Sequence, residues 1–310
     1  MRTEVRWAML RISLIPAALL FVFRAGAQEP RLLRIATAPA ESLHVSVWGT
    51  GEPVVIVPGI WSSTFAFRKV IPRLRENGFQ VIVIEPLGVA SSGRPQTADY
   101  STTAQSRRIG AVLDSLRVGD AMFIGQALST AMLLRLAVLS PERVRGIVSL
   151  EGGAVETSSS PGLRMAFTVA AVIFRVLPSD RLMRRRLRSD LENVSGDRTW
   201  ITKDVVDGYM ATWSKRISET LRVYRAMAGS KEPERLGPRL GELRAPLQLI
   251  VGAAPHYGAV EAVEIAHLEK LHPRFGVTRI PGAGHLLHEE RPEEVVAALL
   301  SVRRRVASGL

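Results

Sequence analysis

The sequence predicts an α/β fold, in which helices cover both faces of a mostly parallel sheet and one helical segment is inserted into the chain. Short runs rich in β-branched residues alternate with segments of helical periodicity from residue 43 onward. The alternation is interrupted once, over residues 155–240, and then resumes. A chain of 310 residues is long enough for one α/β domain with such an insertion.

The predicted strands are short apolar runs, each separated from the next by a turn signal or by a helical segment. In chain order they are LHVSVWG (43–49), VVIVPG (54–59), QVIVIEP (80–86), AMFIG (121–125), VRGIVSLEGG (144–153), PLQLIVG (246–252) and VTRIPG (277–282). The predicted helices cover 65–77, 103–118, 129–140, 260–273 and 292–306. Gly78 follows the first helix and is a typical C-terminal stop.

Residues 1–27 have the pattern of an export signal. Three arginines precede an apolar run over residues 12–23, and Ala25-Gly26-Ala27 supplies the small residues that a signal peptidase requires. The apolar run is about a dozen residues long, whereas a membrane-spanning helix needs roughly 20. We therefore expect cleavage near Ala27 and a periplasmic or secreted protein. An uncleaved membrane anchor is the alternative.

The composition is that of a globular protein with a basic surface. The formal net charge is +12, but aromatic residues make up 6% of the chain and no nucleic-acid motif accompanies the charge. We therefore expect no nucleic-acid partner. The absence of cysteine agrees with an oxidising destination. The sequence does not determine the oligomeric state.

Candidate functional residues are those that directly follow the predicted strands, because sites in open α/β sheets lie at the carboxyl ends of the strands. One such segment, FIGQALSTAM (123–132), ends an apolar run in Gly125 and then opens a predicted helix. A second, PGAGHLLHEERPEEVVAAL (281–299), places His285 after the last predicted strand. An imidazole is suited to proton transfer near neutral pH.

Several of these segments together resemble the α/β-hydrolases, in the branch that contains small esterases, epoxide hydrolases and haloalkane dehalogenases. The run around His285 is similar to the family's G-H-x-x-x-x-E-x-P motif. EPLGVASSGRP (85–95) and PGIWSSTFAFRKVIP (58–72) resemble the D-x-x-G-x-G-x-S and H-G-x-x-x-S segments. The resemblance covers roughly residues 43–155 and 243–305. It implies an α/β-hydrolase fold with an inserted helical cap.

The catalytic positions depart from the family pattern. In the G-x-S-x-G elbow the nucleophile position is occupied by Ala127, and the usual acid position is Pro255. Pro58 replaces the histidine of the H-G pair. Loss of the nucleophile from a serine hydrolase costs roughly a millionfold in turnover. Ordinary serine-esterase chemistry is therefore not expected.

The resemblance implies which residues remain at the site. His285 is the expected base, and Glu151 is the candidate for the carboxylate that orients it, since some relatives take their acid from the end of that strand; a solvated turn glutamate is the alternative. The backbone N–H groups of Ile60 and Leu128 are the expected oxyanion hole, which needs no side chains.

Trp61 and Gln126 are expected to line the pocket, and we expect neither a metal ion nor an organic cofactor. Other serines are poor nucleophile candidates because no strained elbow precedes them and no base is placed beside them. These are Ser129, Ser62, Ser63, Ser91 and Ser92. His288, Glu289 and Glu290 are expected to be structural, the carboxylates complementing a helix N-terminus.

The insertion completes the predicted organisation: export signal 1–27, core 28–154, helical cap 155–240 and core 241–310. Residues 165–177 are almost entirely apolar and predict a cap helix buried against the pocket. Arginines at 181, 184, 185, 186 and 188 follow. They predict a solvated helix face, or alternatively a peripheral contact with an anionic membrane surface.

Two functions agree with these observations. The first is an enzyme without a covalent intermediate, in which His285 activates water or removes a substrate proton from an ester, lactone or related carbonyl compound. The second is a non-catalytic protein that binds a small apolar molecule in the former active-site pocket. A hydrogen bond between His285 and Glu151 favours the first function, and an unpartnered His285 favours the second.

Overall fold

The computed structural model describes residues 29–154, 180–213 and 216–309. The predicted export signal (1–27) and the predicted apolar cap helix (165–177) lie outside the described residues. The structure therefore bears on the core and on the later part of the insertion.

Eight strands form one mostly parallel sheet. They are β1 (Arg31–Ala38), β2 (Glu41–Trp48), β3 (Glu52–Val57), β4 (Phe79–Glu85), β5 (Ala121–Gln126), β6 (Val144–Leu150), β7 (Leu247–Gly252) and β8 (Phe275–Ile280). The spatial order is β1-β2-β4-β3-β5-β6-β7-β8. β2 runs antiparallel to β1 and to β4, and every other neighbouring pair is parallel. The predicted fold class is confirmed.

The central strands are apolar throughout because both faces of the sheet are covered. In β3, Val55 and Val57 pack into one apolar core, whereas Val54 and Ile56 point the other way into a second core. Strand β5 divides its side chains between the two faces in the same way.

The described helices either flank this sheet or belong to the insertion. They are α1 (Val70–Glu76), α2 (Thr102–Leu116), α3 (Ser129–Leu139), α4 (Asp180–Val194), α5 (Lys203–Trp213), α6 (Ile217–Gly229), α7 (Ala262–Leu271), α8 (Leu287–Glu290) and α9 (Pro292–Ala307). None of the described helices is long and apolar enough to cross a membrane.

Two local predictions differ from the structure. Strand β1 was not predicted, because its tight connection to β2 contains no glycine: Ala40 adopts the left-handed conformation there, with φ 63°. The helix predicted over 65–77 divides into a 3₁₀ helix (Thr64–Phe67) and α1. Pro72 explains this division, because proline is tolerated only in the first turn of a helix.

The arginine-rich segment forms α4 and its positive charge is partly compensated. Arg186 pairs with Asp190 and Arg188 with Glu192, both at 3.0 Å, and Arg184 contacts Asp207 of α5. Such exposed pairs contribute little to stability. The contacts show that α4 is not an uninterrupted cationic surface.

Candidate functional site

The turn after β5 keeps the backbone geometry that a nucleophile elbow requires. Ala127 adopts the left-handed conformation, with φ 49°, between the end of β5 and the start of α3. Its N–H donates to the Leu150 carbonyl at 2.9 Å, and its carbonyl accepts from the Thr130 N–H at 3.0 Å. This conformation is unfavourable for a residue with a Cβ. The surrounding structure therefore enforces the turn even though its residue has no nucleophilic group.

Two glycines allow the elbow to approach its neighbours. A Cβ on Gly125 would lie 2.8 Å from a Leu133 side-chain carbon, so this glycine lets α3 pack directly on β5. A Cβ on Gly152 would lie 2.3 Å from the Ala127 carbonyl oxygen. At Gly152 the contact is with backbone, so only a residue without a side chain fits while the elbow keeps its place; at Gly125 a Cβ would require the Leu133 side chain to shift.

The loop after β3 is held beside the elbow by hydrogen bonds from three directions. The Gln126 side chain accepts from the Gly59 N–H at 3.1 Å, and Ser129 donates to the Pro58 carbonyl at 2.6 Å. From the insertion, the Tyr224 hydroxyl donates to the Ile60 carbonyl. Gln126 is buried and Trp61 is 40% exposed, with its ring edge-on to Tyr224.

The predicted oxyanion donors meet the first requirement of an oxyanion hole. Neither the Ile60 nor the Leu128 N–H donates a hydrogen bond to another residue in the part of the chain that the structure describes. Leu128 directly precedes α3, so its N–H belongs to the helix N-terminus, where unpaired amides favour negative charge. Both amides are therefore available as hydrogen-bond donors among the described residues, and neither depends on a side chain.

Three of the candidate serines have hydroxyl contacts with structural groups rather than with a base, and the buried Ser62 hydroxyl has no hydrogen-bond partner among the described residues. Ser129 is fully buried and donates to Pro58. Ser92 donates to the Glu85 carbonyl and accepts from the His44 N–H, and Ser63 accepts from Thr212. None of these contacts would activate a hydroxyl for attack.

Glu151 follows β6 and is buried in a strained conformation. Its φ is 50°, and its carboxylate accepts from the Gly252 N–H at 2.5 Å and the Val260 N–H at 3.3 Å. Burial raises the pKa of Glu151, and the Gly252 hydrogen bond and the nearby His256 oppose this rise. Glu151 is therefore not a solvated turn glutamate.

His285 lies after β8, and its backbone is held by the insertion. Its N–H donates to the Val194 carbonyl at the end of α4, at 2.8 Å. Burial, together with the nearby His256, lowers the pKa of His285 to about 4. The imidazole is therefore neutral at pH 7 and is able to accept a proton.

The predicted pairing of Glu151 with His285 is not a direct hydrogen bond. The Nδ1 atom of His285 is buried and has no hydrogen-bond partner among the described residues. A ring nitrogen of His285 and a carboxylate oxygen of Glu151 nevertheless lie within 4.8 Å, which one water molecule can bridge. The carboxylate is near the base, but it does not fix its tautomer directly.

His256 is the site residue that the sequence interpretation missed. It lies one residue beyond Pro255, the vacated acid position, and its ring lies 6.0 Å from that of His285, centroid to centroid. Its Nε2 atom is 3.3 Å from Oε1 of Glu151, and its side chain is 1% exposed. The only available signal was a histidine in a strand-end loop.

The remaining polar residues of the histidine motif support the loop. Glu290 accepts from the N–H groups of Gly196, Asp197 and Gly284 at 2.8–3.0 Å. This contact explains the motif glutamate more specifically than the helix-dipole role expected from the sequence. His288 is fully buried and stacks on Phe67, with ring centroids 4.6 Å apart. Both residues act in the structure rather than on a substrate.

Comparisons with known proteins assign the chain to a family. The sequence matches the profile of the alpha/beta hydrolase family over residues 54–298. It is 27% identical to the uncharacterized hydrolase YugF of Bacillus subtilis (strain 168) over 244 residues, which cover 78% of this chain and 86% of that protein.

Two solved structures show the same fold. Epoxide hydrolase CorEH superposes with a TM-score of 0.73 at 18% identity, covering 88% of this chain and 98% of that chain. Est816, described as an N-acyl homoserine lactone degrading enzyme, superposes with a TM-score of 0.65 at 22% identity, covering 87% and 99%.

Proposed function

The chain belongs to the α/β-hydrolase family, and from this premise we propose that it hydrolyses a small apolar ester, lactone or related carbonyl compound by direct attack of water. The observation that carries the proposal is the elbow. Ala127 adopts the strained turn but supplies no atom for an acyl-enzyme, and the Ile60 and Leu128 amides have no partner among the described residues.

In the proposed reaction, His285 replaces the missing nucleophile by activating water. The neutral imidazole accepts a proton from a water molecule as that water's oxygen bonds to the substrate carbonyl carbon. The Ile60 and Leu128 amides stabilise the oxyanion that forms. The carbon–oxygen bond to the leaving group then breaks, and the leaving oxygen takes the proton from His285. A base with a pKa of about 4 is weak, so slow turnover is expected.

In this proposal Glu151 holds two loops in place and orients His285 through a bridging water molecule. Its carboxylate connects the ends of β6 and β7 by the Gly252 and Val260 amides. A bridging water between Glu151 and His285 would orient the imidazole less firmly than a direct hydrogen bond does. This is a second reason to expect a low rate.

The similarity to solved structures bears only on the choice of substrate class. CorEH and Est816 are described as acting on an epoxide and on an acyl lactone. A lactone contains the carbonyl group that the Ile60 and Leu128 amides would bind. A short acyl lactone is therefore a suitable first substrate to test.

A second function is favoured by the absence of a direct hydrogen bond between His285 and Glu151 in the described structure. Because Nδ1 of His285 has no partner among the residues that the structure describes, the base lacks a direct orienting carboxylate. We therefore retain as second candidate a non-catalytic protein that binds a small apolar molecule in the same site. Such a protein would be stabilised by its ligand without converting it.

Product analysis with the wild-type protein separates the two functions. The protein is incubated at pH 7.5 with an activated short-chain ester and with an acyl lactone, and His285→Ala is compared with His267→Ala, which removes an exposed histidine of α7. Hydrolysis that is lost in His285→Ala and kept in His267→Ala supports the enzyme. A ligand-induced rise in melting temperature with no product in any sample would support the binding protein instead.

Covalent labelling tests the absence of a nucleophile. We expect a fluorophosphonate reagent to leave the protein unlabelled, because no described serine near the elbow contacts a base. Mass spectrometry of the intact protein measures the adduct. Stoichiometric labelling at Ser129, Ser62 or Ser91 would restore a serine hydrolase and contradict direct water attack.

We further propose that the protein is exported and that α4 makes a weak, peripheral contact with anionic membranes. The arginines of α4 support this contact, and their pairing with Asp190, Glu192 and Asp207 limits it. Co-sedimentation with vesicles containing anionic lipid should therefore be weak and lost at 0.5 M salt, roughly where screening becomes short-ranged. Equal binding to neutral vesicles would contradict the proposed contact of α4 with anionic membranes.

A further inference from the structure

Three side chains from separate segments of the chain converge beside the carboxyl ends of β6 and β7. They are Glu151, His256 and His285, and one potential ligand atom from each lies within 4.8 Å of the others. The proposed hydrolysis uses His285 and Glu151 but leaves His256 without a role.

The hydrogen bonding of His256 defines what it presents to Glu151. Its Nδ1 lies 2.7 Å from the Ala254 carbonyl, and because a carbonyl only accepts, Nδ1 carries the proton. In the neutral ring, Nε2 therefore directs a lone pair toward Oε1 of Glu151, 3.3 Å away and not in hydrogen-bond geometry. Two electron-rich atoms at this distance in a buried site repel each other unless a proton or a metal ion lies between them.

His285 adds a third donor that is similarly unsatisfied. Its Nδ1 is buried and makes no hydrogen bond of good geometry in the described part of the chain, although the Gly258 backbone lies close enough to oppose the lowering of the ring's pKa. Gly258, in the loop that carries His256, faces this nitrogen: a Cβ there would lie 3.3 Å from it. The glycine keeps the space beside the ring free of a side chain.

We infer that Glu151, His256 and His285 bind one divalent transition-metal ion of the Zn²⁺ or Co²⁺ class. Two imidazoles and one carboxylate are a known three-ligand set for zinc, with metal–ligand distances of about 2.0–2.2 Å. Ligand atoms in such a tetrahedral shell lie about 3.4 Å apart, and the His256–Glu151 separation is 3.3 Å. The third ligand, at most 4.8 Å from the other two, needs to move by about 1.5 Å or less to complete the shell.

Metal binding has a consequence for catalysis that rests on the proposed function. The ion would occupy a lone pair of His285, and the proposed hydrolysis needs that imidazole as proton acceptor. Zn²⁺ should therefore slow hydrolysis, and a chelator should restore it. Binding itself is measured without activity, so a failure of the hydrolase proposal leaves the metal site testable.

The test is a titration of chelator-treated protein with Co²⁺, followed by visible absorption, with the stoichiometry of Zn²⁺ measured by elemental analysis. We expect one equivalent of metal and the intense absorption of tetrahedral Co²⁺. His256→Gln and Glu151→Gln should each weaken binding by at least about 100-fold, more than loss of a residue that only orients a ligand. His267→Ala is the matched control, because it removes an exposed histidine, and it should bind like wild type.

Two results would overturn the site. The first is wild-type protein that gives no tetrahedral Co²⁺ spectrum. The second is metal binding that remains in His256→Gln and Glu151→Gln, or that disappears in His267→Ala, since the metal would then lie elsewhere. Circular dichroism of each variant confirms that it is folded. If one of the two ligand variants does not fold, the other decides.

Discussion

At the scale of single residues, backbone strain marks the candidate site. Five non-glycine residues in the described part of the chain have positive φ, and three of them, Ala90, Ala127 and Glu151, follow β4, β5 and β6. Residues held in such conformations cost free energy and concentrate at functional sites. The elbow therefore has an unfavourable geometry although Ala127 carries no nucleophilic group.

Gly152 is the residue on which the elbow's position most clearly depends. Gly152→Ala should destabilise the protein by more than about 2 kcal/mol, because the new Cβ would lie 2.3 Å from the Ala127 carbonyl oxygen. Gly229→Ala at the end of α6 is the control, since its Cβ meets nothing within 4 Å, and it should be neutral or slightly stabilising. Urea denaturation measures both. Equal effects would show that the contact at the elbow is unimportant.

His288 makes stability sensitive to acid. Burial, and then the nearby His285 and Arg68, lower its pKa to about 3, so the folded state keeps this ring neutral while the unfolded state takes up a proton below about pH 6.5. Stability is therefore lost as pH falls from about 6.5 toward 3. His288→Phe keeps the stacking on Phe67 and should reduce that loss by a few kcal/mol.

The measurement is the free energy of unfolding at pH 7 and at pH 4.5 for wild type, His288→Phe and the exposed-site control His267→Gln. The variant should lose less stability between the two pH values than either of the others. A pH dependence identical to that of wild type would mean that His288 is protonated in the folded protein.

At the scale of elements, the insertion and the histidine loop form one connected unit. Val194, at the end of α4, accepts the His285 N–H, and Gly196 and Asp197 share the Glu290 carboxylate with Gly284. The close approach also needs glycine: a Cβ on Gly284 would lie 2.5 Å from the Val194 carbonyl oxygen. The position of His285 therefore depends on the insertion as well as on β8.

Glu290→Gln tests this connection. The neutral amide keeps the size of the side chain but weakens the charge-assisted bonds to three backbone amides, so we expect a loss of about 1–3 kcal/mol in unfolding free energy. Glu293→Gln removes an exposed partner of Arg73 and should cost less than about 1 kcal/mol. Chemical denaturation compares the two. A larger loss in Glu293→Gln would contradict the connection.

The elements were largely predictable because their signals are local. The apolar runs that became β3 to β7 are largely buried on both faces, so nothing in the tertiary structure competes with their propensity, whereas β8 is partly exposed. Strand β1 was missed because Ala40, rather than glycine, makes its turn. The split of the first helix was missed because the helical spacing of apolar residues continues across it, although Pro72 is a helix-breaking residue.

The site was predictable as far as the strand ends, but no further. Ala127, Glu151, Ile60, Leu128 and His285 follow strands, and their positions follow from the order of the sheet. The partners of Glu151 depend on the path of the loop over residues 253–261, which brings the Val260 amide and His256 to the carboxylate. That path has no periodic signal in the sequence, so the role of His256 became visible only in the structure.

At the scale of the whole molecule, a family scaffold holds an incomplete catalytic set. The parallel sheet places the elbow, Glu151 and the histidine loop at the carboxyl ends of its strands. The insertion holds both the Ile60 loop and the His285 loop by hydrogen bonds. The proposed oxyanion donors are backbone groups, so the loss of a side chain does not remove them. Our central claim is that the elbow, the oxyanion amides and the base His285 keep a catalytic arrangement without a nucleophile, although no carboxylate bonds directly to the base.

Restoring the hydroxyl tests this claim most directly. The measurement is the hydrolysis rate of an activated short-chain ester by Ala127→Ser, compared with wild type and with Ala127→Ser/His285→Ala. We predict a gain over wild type of at least about ten-fold, accompanied by fluorophosphonate labelling at position 127, and loss of the gain in the double variant. A folded Ala127→Ser protein that neither gains activity nor reacts with the reagent would show that the geometry has decayed, and would contradict the account.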